Sequence, residues 1–397
     1  MTLSYWLDTK MDIPEKVLAT ENNFDVLIVG AGIAGLSVAY WLEQKDANLK
    51  IAILDKGAVL GSGASGRNAG FITCGSSEHF FKLQQQFGLE KATEIWKFSE
   101  KNRELLKSEI FQDDFTSVDF STTGSCTVAS SELDWTRYQD VFKTMQAAGI
   151  DVELIDEKYL SEYYGVRNFL GAIQYKHDGV INPVRLLKKI MSKLKNTKFF
   201  LNAEIKNYQA IGPSWNVNLG HRQVSAAKIV FCLNGYSSTL IPELIPIIKP
   251  QRGQILVTEP LEKFVQGPCY LTKHLCYFRQ LSGGELLIGG FRNHDPDAEN
   301  TNEDQITEKI QTALTQFTEN YFQKTKNIKI NYRWSGVMGF SPDGQMVLGE
   351  LTSKKGLFTM AGCSGHGMGL SFHAAQVLVQ NIYGHAVPTH LDLHRFK

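Results

Sequence analysis

An excess of charge of either sign is missing. The 397-residue chain carries 41 Lys and Arg against 41 Asp and Glu, a formal net charge of zero. Proteins that grip nucleic acid normally show a basic excess, so that class is disfavoured and no nucleic-acid partner is expected. Cysteine is sparse. Cys74, Cys126, Cys232, Cys269, Cys276 and Cys363 form no C-x-x-C pair, which argues against a disulfide framework, a zinc site and a redox dithiol. No metal is expected. The opening MTLSYWLDTKMDIPEK lacks the basic start and apolar run of a secretory signal. Long apolar runs are scarce too. The longest, Val26 to Leu42, is interrupted by Gly30, Gly32 and Gly35 and flanked by Asp25 and Glu43, which suits a strand followed by a helix better than a membrane span. A soluble, cytoplasmic protein without a transmembrane segment is expected. There is no internal repeat or low-complexity tract. With 43% hydrophobic and 21% charged residues, the chain is globular and large enough for about two to three domains, which excludes disordered and fibrous architectures.

What is present is a β-α-β pattern near the start. Phe24 to Val29 reads as a strand, a helix follows through Trp41, and Leu49 to Leu54 reads as a second strand. Glu78 to Ile110 has helical spacing, Val118 to Ala129 looks β-like and Leu133 to Ala148 helical. Pro183 suits the first position of a helix to Leu194. Lys198 to Ile205 and Lys228 to Leu233 are strand candidates. Gln254 to Phe291 is β-rich with a turn at Ser282–Gly284. The stretch Asp295 to Asp304 is acidic and loop-like, and a helix follows it. Gly356 to Ala361 is a strand. A closing helix runs to Ile382 with Leu370, Ala374, Val377, Leu378 and Ile382 on one face.

The segment DVLIVGAGIAGLSVAYWL holds Gly30, Gly32 and Gly35 at G-x-G-x-x-G spacing between a strand and a helix, and Asp55 ends the next strand. The three glycines serve different ends. Gly30 permits the tight turn, Gly32 lets backbone approach a pyrophosphate, and Gly35 allows close helix–strand packing. The helix N-terminus, with Ile33 and Ala34, offers N–H groups to phosphate. Asp55, followed by Lys56, can accept ribose hydroxyls, and its charge would repel a 2′-phosphate. This is a dinucleotide site that does not by itself separate FAD from NAD. No second fingerprint exists, so electrons should enter from the substrate itself. Two further glycine-rich segments follow. GSGASGRNAG carries Gly63, Ala64, Ser65, Arg67, Asn68, Ala69 and Gly70, where backbone can lie against a ligand and Arg67 could neutralise phosphate or orient a ring system. AGCSGHGMGL carries Gly365, His366, Gly367, Met368 and Gly369 ahead of the closing helix. A helix N-terminus there would stabilise the anionic reduced flavin. His366 either adds to that effect or holds the loop.

These motifs, with LNGYSSTLIPELIPIIKPQRGQILVTEPL and YRWSGVMGFSPDGQMVLGE between them, occur in an order that resembles the FAD-dependent amine and amino-acid oxidoreductases of the D-amino-acid oxidase, glycine oxidase and sarcosine oxidase superfamily. The look is nearest the γ-glutamylputrescine oxidoreductase-like branch, and the resemblance covers Ser4 to Ile382. It implies an α/β plus α+β fold, a Rossmann-like FAD-binding domain interleaved with an antiparallel-sheet substrate domain. The FAD domain would come from 24–80, 175–240 and 331–397, the substrate domain from 81–174 and 241–330, with an N-terminal arm at 1–23. It also implies an adenine contact near Glu204 and Ile205, and a strand-end contact at Asn234 and Gly235 beside the pyrophosphate. Trp6 would reach the site. Relatives bind flavin covalently through a cysteine that Gly336 to Phe340 lacks, so non-covalent FAD is implied. The oxygen-activating lysine two residues before a strand glycine is replaced by Leu287.

The expected reaction is hydride transfer from a carbon bearing a neutral amine to the flavin, giving an imine that hydrolyses, with O2 or another acceptor completing the cycle. The substrate would be a small amine or amino acid. Arg279 could clamp a carboxylate or be a surface charge on a strand, and Arg292 is the second choice. Tyr236, Tyr270 and Tyr277 either wall the site or fill ordinary core. Three other readings compete. An NADPH-using aromatic hydroxylase lacks support because GCSGHG replaces its usual Gly-Asp motif. A tRNA-modifying flavoprotein should show a basic surface. A flavoprotein with structural FAD would not turn over.

Overall fold

A computed structural model describes residues 2–8, 21–322, 324–352 and 354–396. Residues 9–20 of the expected arm lie outside them. Two large sheets organise the chain. The first is built on the β-α-β unit. Strand Asn23–Val29 pairs in parallel with Ile51–Leu54 on one side and with Gln223–Phe231 on the other. Lys198–Phe200 and Leu357–Ala361 extend it, also in parallel, and Val347–Glu350 closes one edge antiparallel. A hairpin, Asn207–Ile211 and Ser214–Asn218, leans on Gln223–Phe231. The central strands are buried apolar runs, as a sheet covered on both faces requires. The first helix, Ile33–Lys45, and the closing helix, Gly367–Ile382, cover one face through Leu36, Ala39, Leu42, Ala374 and Leu378.

The second sheet is antiparallel except where Cys269–Leu271 pairs in parallel with Ser125–Ala129. Its long strands are Lys249–Pro260 and Ile330–Phe340, which pair along their whole length. All of Ile330–Phe340 but its first residue falls within the 331–397 segment grouped above with the nucleotide unit, yet the strand belongs to this sheet. Helix Glu308–Tyr321 packs on one face through Ile310, Leu314 and Phe317. The other face looks toward the glycine-rich segments. No helix among the described residues is long and apolar enough to cross a membrane.

Several sequence expectations need correction. The helical stretch from Glu78 breaks at Gly88, where φ is +82°, into Ser77–Phe87 and Leu89–Leu105. Strand Lys198–Phe200 stops early because Asn202 and Ala203 turn away to donate to the Gly57 and Asp55 carbonyls. Only Ser125–Ala129 of the β-like Val118–Ala129 is strand. The acidic stretch is not a free loop. It holds a short helix, Pro296–Glu299, and two of its acids are buried ion-pair partners. Glu299 binds Arg252 through two contacts of 2.9 Å, and Asp304 binds Arg67 at 3.1 Å.

Candidate functional site

The first helix starts at the C-terminal end of its strand. Gly30, at φ +114°, makes the turn, and a Cβ on Gly35 would stand 1.9 Å from the Gly30 carbonyl oxygen. Only glycine lets the helix cross there. Gly32 caps the helix with no side-chain bond, leaving its N–H groups open except where Ile33 donates to Ser65 Oγ at 3.0 Å. Asp55 ends the next strand. Its two carboxylate oxygens accept from the Ala31 and Gly57 N–H groups, each at 2.7 Å. Asn234, in the left-handed region at φ +44°, accepts from Cys363 N–H at 3.1 Å and so ties two strand ends together.

A cavity of about 840 Å³ begins at this end and runs to the antiparallel sheet. That is the size of a cofactor or ligand site. Gly30, Gly32, Ile33, Ala34, Asp55, Lys56, Gly63, Ala64, Ser65, Arg67, Asn68, Ala69, Ile205, Asn234, Gly365, His366, Gly367, Met368 and Gly369 line it. Gly35, Gly70 and Gly235 stand behind the wall instead. Each is a glycine for close backbone approach, Gly70 to Ile181 O and Gly235 to Met338 O. The closing helix also begins at the cavity, with His366 at its cap and no side-chain cap bond. A Cβ on Gly369 would meet Thr73 O at 2.2 Å, so glycine brings this helix end against the cavity floor. Two uncapped helix N-termini facing one elongated cavity suit a pyrophosphate at one and an electron-rich ring at the other. The residues present therefore fit FAD.

Arg67 lines the cavity, but its guanidinium is engaged within the protein. Its guanidinium donates to Ser62 O and Ser335 O and pairs with Asp304, the two side chains 6% and 8% exposed. Its charge is neutralised inside the protein, so it braces the glycine-rich segment and is not a free phosphate partner. Trp6 does not reach the cavity. It is 2% exposed, with Nε1 donating to Asn68 O at 2.7 Å. Ser4 Oγ donates to Gly66 O at 2.6 Å. The described part of the arm thus clasps the same segment from outside.

At the far end stand Thr73, His79, Tyr270, Tyr277, Arg292 and His366. Arg279, first choice for a carboxylate, is not on this wall. It lies buried beside Trp6 and donates to Gly70 O at 2.8 Å and Ile181 O at 3.2 Å. Arg292 is on the wall and half-buried over the Phe340 ring. Among the described residues its hydrogen bond goes to Gln251 Oε1 at 3.3 Å, which leaves guanidinium donors for a ligand. Tyr270 and Tyr277 meet edge-on against Phe71, and burial raises both phenols well above the ordinary tyrosine range. Tyr236 is elsewhere, with Lys56 Nζ 4.5 Å over its ring at the nucleotide end. Leu287 is buried in the cluster around Trp6 and Trp334, off the cavity wall.

His79 was missed. It lies in helix Ser77–Phe87, stacked on His366 with centroids 4.5 Å apart and planes 19° apart. Burial holds both imidazoles below the ordinary histidine range. Helical spacing from Glu78 and the N-cap serine at Ser76 mark its helix in the sequence, and nothing marks the stack.

Residues 25–381 match the family described as FAD dependent oxidoreductase, DAO. Among curated proteins, the chain is 23% identical to Gamma-glutamylputrescine oxidoreductase of Escherichia coli, over 91% of this chain and 84% of that protein. Among solved structures, glycine oxidase from Geobacillus kaustophilus superposes with a TM-score of 0.79 at 19% identity, covering 95% and 98% of the two chains. L-proline dehydrogenase from P. horikoshii gives 0.80 at 16% identity, with the same coverage. At these identities the solved structures establish the fold, and the family match supplies the cofactor. The chain is a member of the DAO family of FAD-dependent oxidoreductases.

Proposed function

We propose that this protein oxidises a C–N bond of a small amine or amino acid with non-covalently bound FAD, O2 or another acceptor taking the electrons onward. One observation carries the reading: Arg292, with unused donors, stands with two tyrosines at the far end of the cavity that the glycine fingerprint opens. FAD supplies the two-electron acceptor. The chain supplies position and electrostatics. Arg292 would hold a carboxylate by a charge-assisted bond, Tyr270 and Tyr277 would wall the alkyl part, and the closing helix would direct its positive end at the developing charge. Placing the two reactants in one cavity replaces a bimolecular encounter with a fixed geometry.

Non-covalent binding is supported by the cysteines on the wall. Cys232, Cys276 and Cys363 are all buried with their thiols pushed up, Cys363 to about 11, so they are poor nucleophiles. All six cysteines are free thiols, which favours a reducing, cytoplasmic location. We assign FAD binding to 24–80, 175–240 and the part of 331–397 that follows strand Ile330–Phe340. The substrate part is 81–174 and 241–330 together with that strand.

An anaerobic absorbance titration tests the proposal. Glycine, N-methylglycine, proline and 1,4-diaminobutane would be added to the FAD-loaded protein. Bleaching of the flavin band by one of them is expected, most strongly by a carboxylate-bearing amine. Readmitting air then separates an oxidase from a dehydrogenase. A flavin that no amine bleaches would overturn the reading.

A further inference from the structure

We propose that His366 takes the proton from the incoming alkylammonium, and that His79 is a positioning residue that holds the His366 ring in its accepting orientation. This rests on the amine reading above. An amine in water near neutral pH is a cation, and only the neutral form has the lone pair that C–N oxidation needs. A group in the cavity that accepts one proton lets the abundant cation serve as the substrate.

The geometry assigns that group. His366 Nδ1 lies 3.0 Å from Ser364 O. A carbonyl only accepts, so Nδ1 carries the hydrogen and Nε2 carries the lone pair. Both rings line the cavity, and neither Nε2 is among the buried atoms left without a partner. His79 differs. Its Nδ1 is buried with no partner among the described residues and faces Gly75, where a Cβ would lie 2.7 Å away. Orphaned buried N–H groups are rarer than orphaned acceptors, so we assign the His79 hydrogen to Nε2, which makes this ring the donor of the pair. One ring accepts and the other donates. The imidazolium that forms on His366 already has its Nδ1–H bonded to Ser364, and a second positive charge on a ring 4.5 Å away is disfavoured. The pair binds one proton.

The surrounding charges agree. Glu78 and Lys82 lie on the helix of His79, Asp134 and Arg137 on helix Glu132–Ala147, and Lys273 and Arg292 in the short turns Thr272–His274 and Arg292–His294 that follow strands of the antiparallel sheet, all on the cavity wall. Two acids face four bases, and Glu78 and Asp134 are both within 3.1 Å of Arg137. The resting site therefore disfavours an imidazolium and welcomes a carboxylate. Burial lowers the His366 pKa, the Ser364 carbonyl works against that, and Arg292 adds to it. A carboxylate seated on Arg292 offsets that repulsion as the proton arrives. The step balances simply. One substrate N–H bond breaks, one Nε2–H bond forms on His366, and no electrons are exchanged.

The test uses FAD-loaded wild type, His366→Phe, His79→Ala and His79→Phe. Nitrogen-15 histidine NMR on the wild type should show His366 as the Nδ1–H tautomer, neutral at pH 7, with one proton taken up by the pair below the free imidazole range. Flavin reduction by the fastest of the four panel compounds is then followed against pH. His366→Phe should reduce about 100-fold more slowly at pH 7. The defect should shrink to about threefold near pH 10, where the amine arrives neutral. His79→Ala should scramble the His366 tautomer and slow reduction about tenfold at pH 7, and His79→Phe, which restores the stacked ring, should recover most of it. A His366→Phe defect that is constant with pH, or a His366 that is protonated or Nε2–H at pH 7, overturns the proposal. A wild-type tautomer as expected with no reduction by any panel compound removes the amine reading and the base role with it. Reduction with the wrong tautomer removes only the base.

Discussion

The two ends of the cavity are made differently. The nucleotide end comes from short contiguous segments, 30–35 and 61–70, and the segment 362–369 links it to the substrate end. The substrate end comes from single residues on separate elements: Thr73 after a two-residue strand, His79 on a helix, Tyr270 and Tyr277 on neighbouring strands, and Arg292 after a third. A phosphate is recognised by backbone, and backbone geometry is dictated by local spacing. A small substrate is recognised by side chains that only tertiary packing brings together. The nucleotide end should therefore fail all at once when one backbone position changes, and the substrate end should fail residue by residue while the cofactor stays.

The sharpest test is Gly35→Ala. The added carbon would lie 1.9 Å from Gly30 O and 3.2 Å from Ile28 Cγ2, and neither the turn nor the core strand can yield. A loss of at least ~4 kcal/mol is expected, seen as insoluble or flavin-free protein by melting and by the ratio of flavin to protein absorbance. A variant that keeps flavin and melting temperature would show that this end is more pliant than its spacing implies. Next is Asp304→Asn. It strands the Arg67 guanidinium without its counter-charge and weakens the Thr2 and Ser335 bonds to the same carboxylate. Breaking one side of a buried pair costs about 3 kcal/mol, measurable by urea denaturation, and cofactor retention should fall with it because Arg67 braces the segment 61–70.

The sequence made much of this legible, and unevenly. The β-α-β unit, the glycine fingerprint, Asp55 and the closing helix all follow from local periodicity and spacing, and the structure has them within a few residues. Ile330–Phe340 was invisible as a partner of Lys249–Pro260 because strand pairing across about 80 residues leaves no local mark. Arg279 and Arg292 looked alike in sequence, each following a strand-like run. Which one faces the cavity depends on Trp6 and the Gly70 carbonyl occupying the first. Acids at 299 and 304 read as a solvated loop because their buried partners, Arg252 and Arg67, lie far away in the chain.

The substrate end is tested by Arg292→Met. The change keeps the stem over Phe340 and removes the charge. Loss of one charge-assisted bond is worth about 2 kcal/mol, so kcat/KM for a carboxylate-bearing amine should fall about 30-fold. An amine without a carboxylate should change little, and flavin content should not move. Equal losses for both substrates would mean that Arg292 shapes the wall without binding the acid.

The last test is one of pH, and it lies behind the substrate end. Asp178 is 1% exposed, accepts from Ser125 Oγ at 2.7 Å and pairs with Arg103 at 3.3 Å. Burial outweighs both contacts and pushes its carboxyl up from 3.8 to about 7. The folded state then binds this proton more tightly than the unfolded chain does. Its contribution to stability is fully present below the unfolded value near 4 and is lost as pH rises toward about 7. Urea denaturation of the wild type across that window should show this decline superimposed on the opposite trend from the buried neutral histidines, and Asp178→Asn should remove the decline alone. If Asp178→Asn leaves the slope unchanged, Arg103 already holds the carboxylate charged, and the ion pair, not the burial, governs the support beneath Thr73.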